Sequence, residues 1–173
     1  MDGNAENRGG TISLFNGPNP SVTVCDSQND ETNAVAAWIK QRQSEGVSAG
    51  DVCLIVRSAE CIARASAAAT EANLDAVVLT SQSEPDPNKA SIATMHEAKG
   101  LEFRAVVVMA CDDDILPLQE RIESVADTSE LEEVYNTERH LLYVACTRAR
   151  DHLLITAVDP ASEFLDDFCE PRN

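Results

Sequence analysis

Two stretches of the chain consist almost entirely of apolar residues and are shorter than typical helices. Residues 52–56 read Val-Cys-Leu-Ile-Val, and residues 105–110 read Ala-Val-Val-Val-Met-Ala. Short apolar runs without alternation are typical of strands that are buried on both faces of a parallel sheet. Because such a sheet needs helices on both faces, these two runs favour an α/β fold.

The rest of the chain alternates as this fold requires. Further strands are predicted at 21–25, 74–80, 90–94 and 153–157, and helices at 31–44, 59–72, 130–150 and 162–168. Segment 120–127 fits either a short helix or an acidic loop, and 83–89, with two prolines, is predicted to be a loop. The sequence therefore predicts a parallel sheet with helices on both faces.

The ends of two helices carry specific predictions. Asp30 is the expected N-cap of the first helix, and Gly46 is expected to end it. A second N-cap is expected at Asn136-Thr137, restarting the helix 130–150, because Glu138 would otherwise fall within its apolar stripe.

One domain is the natural expectation for 173 residues. Residues 1–20 contain Gly9-Gly10 and Asn16-Gly17-Pro18 and are predicted to be a flexible lead-in or linker, followed by a domain over 21–173. Residues 1–10 lack a secretory signal, and no apolar run is long enough to cross a bilayer. We therefore expect a soluble, cytoplasmic chain with no membrane partner.

The chain is strongly acidic. It has 30 acidic and 13 basic residues, a formal charge of −17. Because nucleic-acid-binding proteins usually carry a basic patch, any DNA contact is expected to be local or shared with a partner. The six cysteines form no C-x-x-C pair, and no cysteine or second histidine lies at metal-ligand spacing beside His96, so no metal site is predicted.

The richest stretch in polar side chains lies between the strands 90–94 and 105–110. It reads Thr-Met-His-Glu-Ala-Lys-Gly-Leu-Glu-Phe over residues 94–103, and Gly100 permits a tight turn. His96, Glu97, Lys99 and Glu102 are expected to be displayed together, because ligands bind at strand ends in open α/β sheets.

This stretch resembles motif V of the superfamily 1 DNA helicases of the UvrD/Rep/PcrA group, T-x-H-x-x-K-G-L-E-F. Residues 138–149, Glu-Arg-His-Leu-Leu-Tyr-Val-Ala-Cys-Thr-Arg-Ala, resemble their motif VI, E-R-R-L-x-Y-V-A-x-T-R-A. The two blocks occur in the order of that family. The resemblance implies a RecA-like fold, namely the second of the two motor domains of a 3′-to-5′ DNA helicase.

The resemblance also implies roles for arginines. Arg148 matches the arginine finger, which stabilises charge on the transferred phosphoryl group of ATP. Arg57, in Ile-Val-Arg-Ser, looks like the motif IV arginine that reaches the nucleotide phosphates; the alternative is an ordinary surface arginine. Arg139 and Arg150 are alternatives to Arg148, although Arg150 also fits an exposed cation near a helix C-terminus.

Motif V supplies the remaining site residues. Glu102 matches the position that hydrogen-bonds the ribose, and Gly100 is expected to let the backbone turn beneath the nucleotide. Thr94, His96 and Lys99 match positions that face DNA or the domain interface. Outside motif V, Tyr143 in motif VI fits core packing better than base stacking.

Other parts of a helicase motor are missing from this sequence. It contains no G-x-x-x-x-G-K-[S/T] loop, so the Walker B-like run 106–113 has no Walker A partner and is interpreted as a strand followed by an acidic loop. ATP and Mg²⁺ are thus expected to be bound mainly by an N-terminal motor domain, in cis or in trans, with single-stranded DNA as the other partner. This chain alone is not expected to hydrolyse ATP.

Two other functions remain open at this point. The chain could be a helicase-derived module that no longer acts as a motor and binds a protein in a repair or transcription complex, which its acidic surface would suit. It could also be a truncated remnant without a function of its own.

Overall fold

The computed structural model describes residues 19–169. Its centre is a six-stranded sheet in the order β1-β6-β5-β2-β4-β3, in which every neighbouring pair is parallel. The strands are β1 Ser21–Cys25, β2 Val52–Val56, β3 Ala76–Val78, β4 Ala90–Thr94, β5 Phe103–Val108 and β6 Ala149–Val158. Because all strands run the same way, the sheet has an amino edge, where the strands begin, and a carboxyl edge, where they end. The predicted parallel α/β sheet is confirmed.

Helices cover both faces of the sheet. They are α1 Gln28–Ser44, α2 Ile62–Glu71, α3 Gln119–Glu123, α4 Thr128–Cys146 and α5 Asp166–Cys169, with 3₁₀ turns at Ala49–Asp51, Ala59–Cys61 and Glu163–Leu165. Helices α1 and α2 pack on one face, and α4 packs on the other together with the 3₁₀ turn Glu163–Leu165. The domain therefore has three layers.

The two apolar runs occupy the middle of this structure. All five residues of β2 are fully buried, with Leu54 in the core beneath α1 and α2 and Ile55 in the core beneath α4. A strand between two hydrophobic layers has no polar face, which explains the absence of alternation.

Helix α1 begins three residues earlier than predicted. Its N-cap is Ser27, whose side-chain oxygen accepts a hydrogen bond from the backbone N–H of Asp30 at 3.1 Å. The prediction that Asp30 is the cap was therefore wrong. Ser27 and Asp30 form the Ser-x-x-acidic pattern of a helix start, which placed Asp30 one turn inside the helix. Gly46 follows the helix end with a φ of 95°.

Helix α4 is continuous, so the predicted restart at Asn136-Thr137 was wrong. Asp127 caps it by accepting hydrogen bonds from the backbone N–H groups of Ser129 and Glu130. The helix ends at Cys146, and Arg150 is the second residue of β6 instead of a cation near a helix end.

Three further expectations concern the ends of the chain, one edge strand and a membrane-crossing helix. The lead-in predicted over 1–20 lies, apart from its last two residues, outside the described residues, as does 170–173. The predicted strand 74–80 is reduced to Ala76–Val78 at an edge of the sheet. Within residues 19–169, no helix has the length and apolarity that a membrane crossing requires.

Candidate functional site

The polar segment after β4 connects the two edges of the sheet. Strands β4 and β5 both lie beside β2 and run in the same direction, so residues 95–102 must return from the carboxyl edge to the amino edge. Thr94 pairs with Val56 at the end of β2, whereas Phe103 lies two residues before the partner of Val52. At about 3.3 Å per residue, the ends of this segment are roughly 20 Å apart.

This path corrects one expectation. His96, Glu97, Lys99 and Glu102 are not displayed together at one end of the sheet. His96 follows the carboxyl end of β4, and Glu102 directly precedes the amino end of β5. The segment packs on the α4 face of the sheet through Met95, Ala98 and Leu101.

At the amino edge, Arg148 is fixed against this segment. Its Nη1 donates to the carbonyl oxygen of Leu101, its Nε to that of Val144, and its Nη2 to the hydroxyl of Thr147, each at 3.2 Å. In return, the backbone N–H of Phe103 donates to the carbonyl oxygen of Arg148 at 2.9 Å. The ends of the two motif blocks thus form one structural unit, with the Arg148 guanidinium partly buried beside the turn.

The turn at this edge leaves its polar groups accessible. Gly100 and Glu102 are exposed, and Gly100 has a φ of 82°, which a glycine adopts at little cost. A Cβ added to Gly100 would meet no atom within 4 Å, so open space lies over the turn. A guanidinium, an exposed carboxylate and an exposed backbone turn therefore share the amino edge, and these groups fit the phosphate and ribose of a nucleotide.

The residues that match DNA-facing positions of motif V begin at the opposite edge. Thr94 is partly buried, and its hydroxyl accepts from the backbone N–H of Glu97 at 3.3 Å. His96 and Lys99 are exposed. The structure therefore separates Thr94 and His96 at the carboxyl edge from Gly100 and Glu102 at the amino edge, with Lys99 on the segment between them.

Arg57 also lies at the carboxyl edge, where it follows β2. Its Nε and Nη2 donate to the two carboxylate oxygens of Glu138, at 2.7 and 2.6 Å. The Arg57 side chain is 5% exposed and that of Glu138 is fully buried. Arg57 is thus part of the packed interior between β2 and α4, and the surface-arginine alternative does not describe it.

Glu138 accepts four hydrogen bonds. Besides Arg57, the backbone N–H of Leu118 donates to it at 3.1 Å and Nη1 of Arg121 at 2.8 Å. Burial alone would raise the pKa of Glu138, but the hydrogen bonds from Arg57, Leu118 and Arg121 outweigh it and lower the pKa below its ordinary value. Glu138 is therefore a buried carboxylate that stays ionised. Sequence reasoning missed this role.

The structure does not bring Arg57 and Arg148 together. Arg57 follows Val56, whereas Arg148 lies beside Phe103, two residues before the level of Val52. The separation along the strands is about seven residues, or roughly 23 Å, which exceeds the combined reach of two arginine side chains. The two arginines cannot contact one phosphoryl group from these positions.

A second buried polar cluster lies at the carboxyl edge, under α1 and α2. Arg64 pairs with Glu31 and with Asp112, the latter at 2.7 Å. Glu31 also accepts from the hydroxyl of Thr156 at 2.7 Å and from the N–H of Ala110 at 2.9 Å, and Ala110 has a φ of 58°. Asp112 of the Walker B-like run is thus used in a structural cluster.

Two further residues of motif VI hold the end of the described chain. The guanidinium of Arg139 lies 4.9 Å from the ring centroid of Phe164, and Tyr143 meets Phe168 edge to face at 5.6 Å. The Tyr143 hydroxyl donates to Asp167, and burial is the largest cause that raises the pKa of Tyr143 to about 12. Tyr143 thus contacts Phe168 and Asp167 at a partly buried position, and Arg139 lies away from the amino edge.

Metal ligands do not cluster in the part of the chain that the structure describes. Among residues 19–169, no group of three His, Cys, Asp or Glu side chains could hold a metal ion. Five of the six cysteines are buried as free thiols.

Comparison with known proteins finds similar sequences among DNA helicases. The chain is 36% identical over 87 residues to the putative ATP-dependent DNA helicase YjcD of Bacillus subtilis, which covers 49% of this chain and 11% of that protein. It is 28% identical over 148 residues to the ATP-dependent DNA helicase UvrD1 of Mycobacterium leprae, which covers 83% of this chain and 18% of UvrD1. The chain thus spans less than a fifth of the length of these two relatives.

A solved structure has the same fold. The C-terminal domain of a possible DNA helicase from Lactobacillus plantarum WCFS1 superimposes with a TM-score of 0.62 at 26% identity, over 86% of this chain and 80% of that one. The model of the UvrD-like helicase C-terminal domain matches residues 70–159, which is more than half of the chain and includes both motif blocks. The resemblance and the expected RecA-like architecture are thereby confirmed, and the chain belongs to the UvrD-like helicase C-terminal domain family.

Proposed function

We propose that this chain is the second motor domain of an ATP-dependent DNA helicase, with ATP at the amino edge of its sheet and single-stranded DNA at the carboxyl edge. The observation that carries the proposal is the course of residues 94–103. This one segment begins with Thr94 and His96 at one edge and ends with Gly100 and Glu102 beside Arg148 at the other. A motor must connect a nucleotide site to a DNA site, and this segment joins a candidate DNA site at one end to a candidate nucleotide site at the other.

Arg148 would act on the phosphates of ATP that is bound mainly by a first motor domain. Its guanidinium would stabilise the negative charge that develops on the transferred phosphoryl group. Glu102 would accept a hydrogen bond from the ribose, and the exposed turn at Gly100 would let the backbone approach the nucleotide. Mg²⁺ would be held by the first motor domain.

Arg148, and not Arg57, would make the phosphate contact. An arginine that is 5% exposed and bound through two nitrogens to a buried carboxylate is not available to a ligand without breaking that pair. Its distance from Arg148 along the strands leads to the same conclusion. Arg57 is instead assigned to the framework that holds the carboxyl edge.

Thr94 and His96 at the carboxyl edge would contact single-stranded DNA, and Lys99 would add a contact from the segment between the two edges. The proposed movement is 3′ to 5′, as in the helicase group that the motifs resemble, and DNA repair is the proposed setting. Because the net charge is −17, these contacts would be few and would be completed by the first motor domain.

The test is to measure ATP hydrolysis with this chain alone and with the chain joined to a first motor domain, in cis or in trans, with and without single-stranded DNA. We expect no turnover by the chain alone and DNA-stimulated turnover by the pair. If pairing gives no turnover while the chain still binds a protein partner, the non-motor module is the better description.

A further inference from the structure

Arg121 is an isolated cation in a strongly acidic part of the chain. It is the only basic residue in segment 112–138, which contains ten acidic residues. Those acidic residues are 112, 113, 114, 120, 123, 127, 130, 132, 133 and 138. A single arginine among so many carboxylates indicates that a specific interaction fixes its side chain.

Glu138 holds it. Nη1 of Arg121 lies 2.8 Å from Oε1 of Glu138, and the same oxygen accepts from Arg57 at 2.6 Å. Two guanidinium groups thus share one carboxylate, so this cluster carries one surplus positive charge. Arg57 is 5% exposed and the Arg121 side chain 37% exposed, so the surplus charge reaches the surface at Arg121.

The cluster around Arg64, at the same edge, has the opposite charge balance. Arg64 pairs with two carboxylates, Glu31 and Asp112, and its side chain is 11% exposed. That cluster carries one surplus negative charge and presents no cation to solvent. The two clusters therefore differ in the sign of the ligand charge that they would attract.

Arg121 lies at the same edge of the sheet as the start of the motif V segment. Arg57, its neighbour through Glu138, follows Val56, whose carbonyl oxygen accepts from the backbone N–H of Met95 at 2.8 Å. Met95 belongs to the same core cluster as Leu142 of α4. Thr94, His96 and Arg121 are therefore at the same edge of the sheet, and the segment that begins at Met95 lies on the same face as Arg121.

Arg121 retains donors for a ligand. Within residues 19–169, the hydrogen bonds of its guanidinium involve Nη1 alone. A guanidinium that is fixed at one nitrogen and partly exposed is suited to bind a phosphate oxygen with the others, because its orientation is already set.

We propose that Arg121, positioned by Glu138, binds a backbone phosphate of single-stranded DNA and extends the DNA track beyond Thr94 and His96. This inference rests on the proposed function, since it adds a contact to the same track. The ligand class is a phosphodiester, and the contact is independent of base sequence.

The test is an NMR titration of the ¹⁵N-labelled chain with an oligothymidylate, which detects weak binding as shifts of individual signals. We expect the side-chain Nε–H signal of Arg121 to shift together with the backbone signals of Thr94 and His96. Arg104 is a matched internal control, because it is 36% exposed, pairs with Asp151 at 2.8 Å and lies at the amino edge.

Variants test the same contact through affinity. Arg121→Ala should weaken binding several-fold and reduce the dependence of log K on log salt by about 0.7, the value for one phosphate contact on a single strand. Arg121→Lys should largely retain the slope, and Arg104→Ala should leave both quantities unchanged. Thermal unfolding of each variant separates loss of contact from loss of fold.

The outcomes separate the two proposals. Shifts at Thr94 and His96 without a shift at Arg121, or an Arg121→Ala variant with unchanged affinity and slope, would overturn this inference and leave the proposed function intact. An absence of any shift up to the highest DNA concentration, both for the chain alone and for the labelled chain paired with a first motor domain, would overturn the DNA track and this inference with it.

Discussion

Arg57 and Glu138 are 81 residues apart in the chain, and in the fold their side chains form a two-pronged ion pair at 2.6 and 2.7 Å. The pair joins the end of the central strand β2 to the middle of α4. Through Leu118 and Arg121, Glu138 also fixes the segment that leads into α4. One buried carboxylate thus organises three parts of the carboxyl edge.

Removing this carboxylate should destabilise the domain strongly. In Glu138→Ala, the buried Arg57 would lose its counter-charge, and breaking a buried pair in this way costs about 3–5 kcal/mol. Urea unfolding followed by circular dichroism measures the free energy of unfolding. Glu132→Ala, an exposed position of the same helix, is the matched control and should change it by less than about 0.5 kcal/mol. Equal effects of the two substitutions would contradict the assigned role of Glu138.

The same pair predicts a pH dependence. The pKa of Glu138 is lowered from its ordinary value of 4.5, so the folded state binds this proton less readily than the unfolded state. Its contribution to stability is therefore complete above pH 4.5 and is lost as the pH falls through the lower pKa of the folded state.

Glu138→Gln removes this titration, because glutamine resembles the protonated acid. The difference in unfolding free energy between the parent and Glu138→Gln should be larger at pH 7 than at about pH 3. Urea titrations at several pH values measure that difference, with Glu132→Gln as the control. A difference that is independent of pH would show that ionisation of Glu138 does not stabilise the fold.

Substitution of Gly100 should be limited by the backbone conformation and not by steric clash. Its φ is 82°, yet a Cβ would meet no atom within 4 Å. Gly100→Ala should therefore cost about 1–2 kcal/mol through backbone strain alone. Gly100→Asn should cost less, although asparagine is larger, because asparagine tolerates positive φ better. Urea unfolding of both variants decides, and a larger loss for asparagine would indicate a steric restriction that the structure does not contain.

Much of the fold was predictable because it depends on local pattern. The bounds of β1 and β4 match the prediction. The start of α1 was also available in the sequence, because Ser27 and Asp30 form a recognised N-terminal pattern that the prediction did not use. Motif V starts at one edge of the sheet and ends at the other because of the strand order. Local sequence pattern does not determine that order.

The role of Glu138 was not predictable in the same way. A glutamate within an apolar stripe indicated a broken helix, whereas the helix is intact and the charge is neutralised by Arg57 from a distant strand. The sequence contained a weak signal, namely an acidic residue within an apolar stripe and a basic residue directly after a buried strand. Which of several arginines would reach Glu138 depends on strand order, which the sequence pattern did not specify.

The distribution of the arginines over two edges yields a contrast between variants. Arg57→Ala should lower the free energy of unfolding by several kcal/mol, because it leaves Glu138 buried without its main partner. Arg148→Ala should have a small effect, since its side chain makes three hydrogen bonds of 3.2 Å at a partly exposed position. Chemical denaturation of both variants checks the contrast, and equal losses would contradict it.

The most direct test of the proposed motor function is ATP turnover by Arg148→Ala in the complete motor, with single-stranded DNA present. We predict that kcat falls about 10³- to 10⁵-fold, as expected for an arginine that stabilises the transferred phosphoryl group. The free energy of unfolding should change little. Turnover within a few-fold of the parent, in a folded variant, would contradict the assignment of Arg148 and with it the nucleotide site at the amino edge.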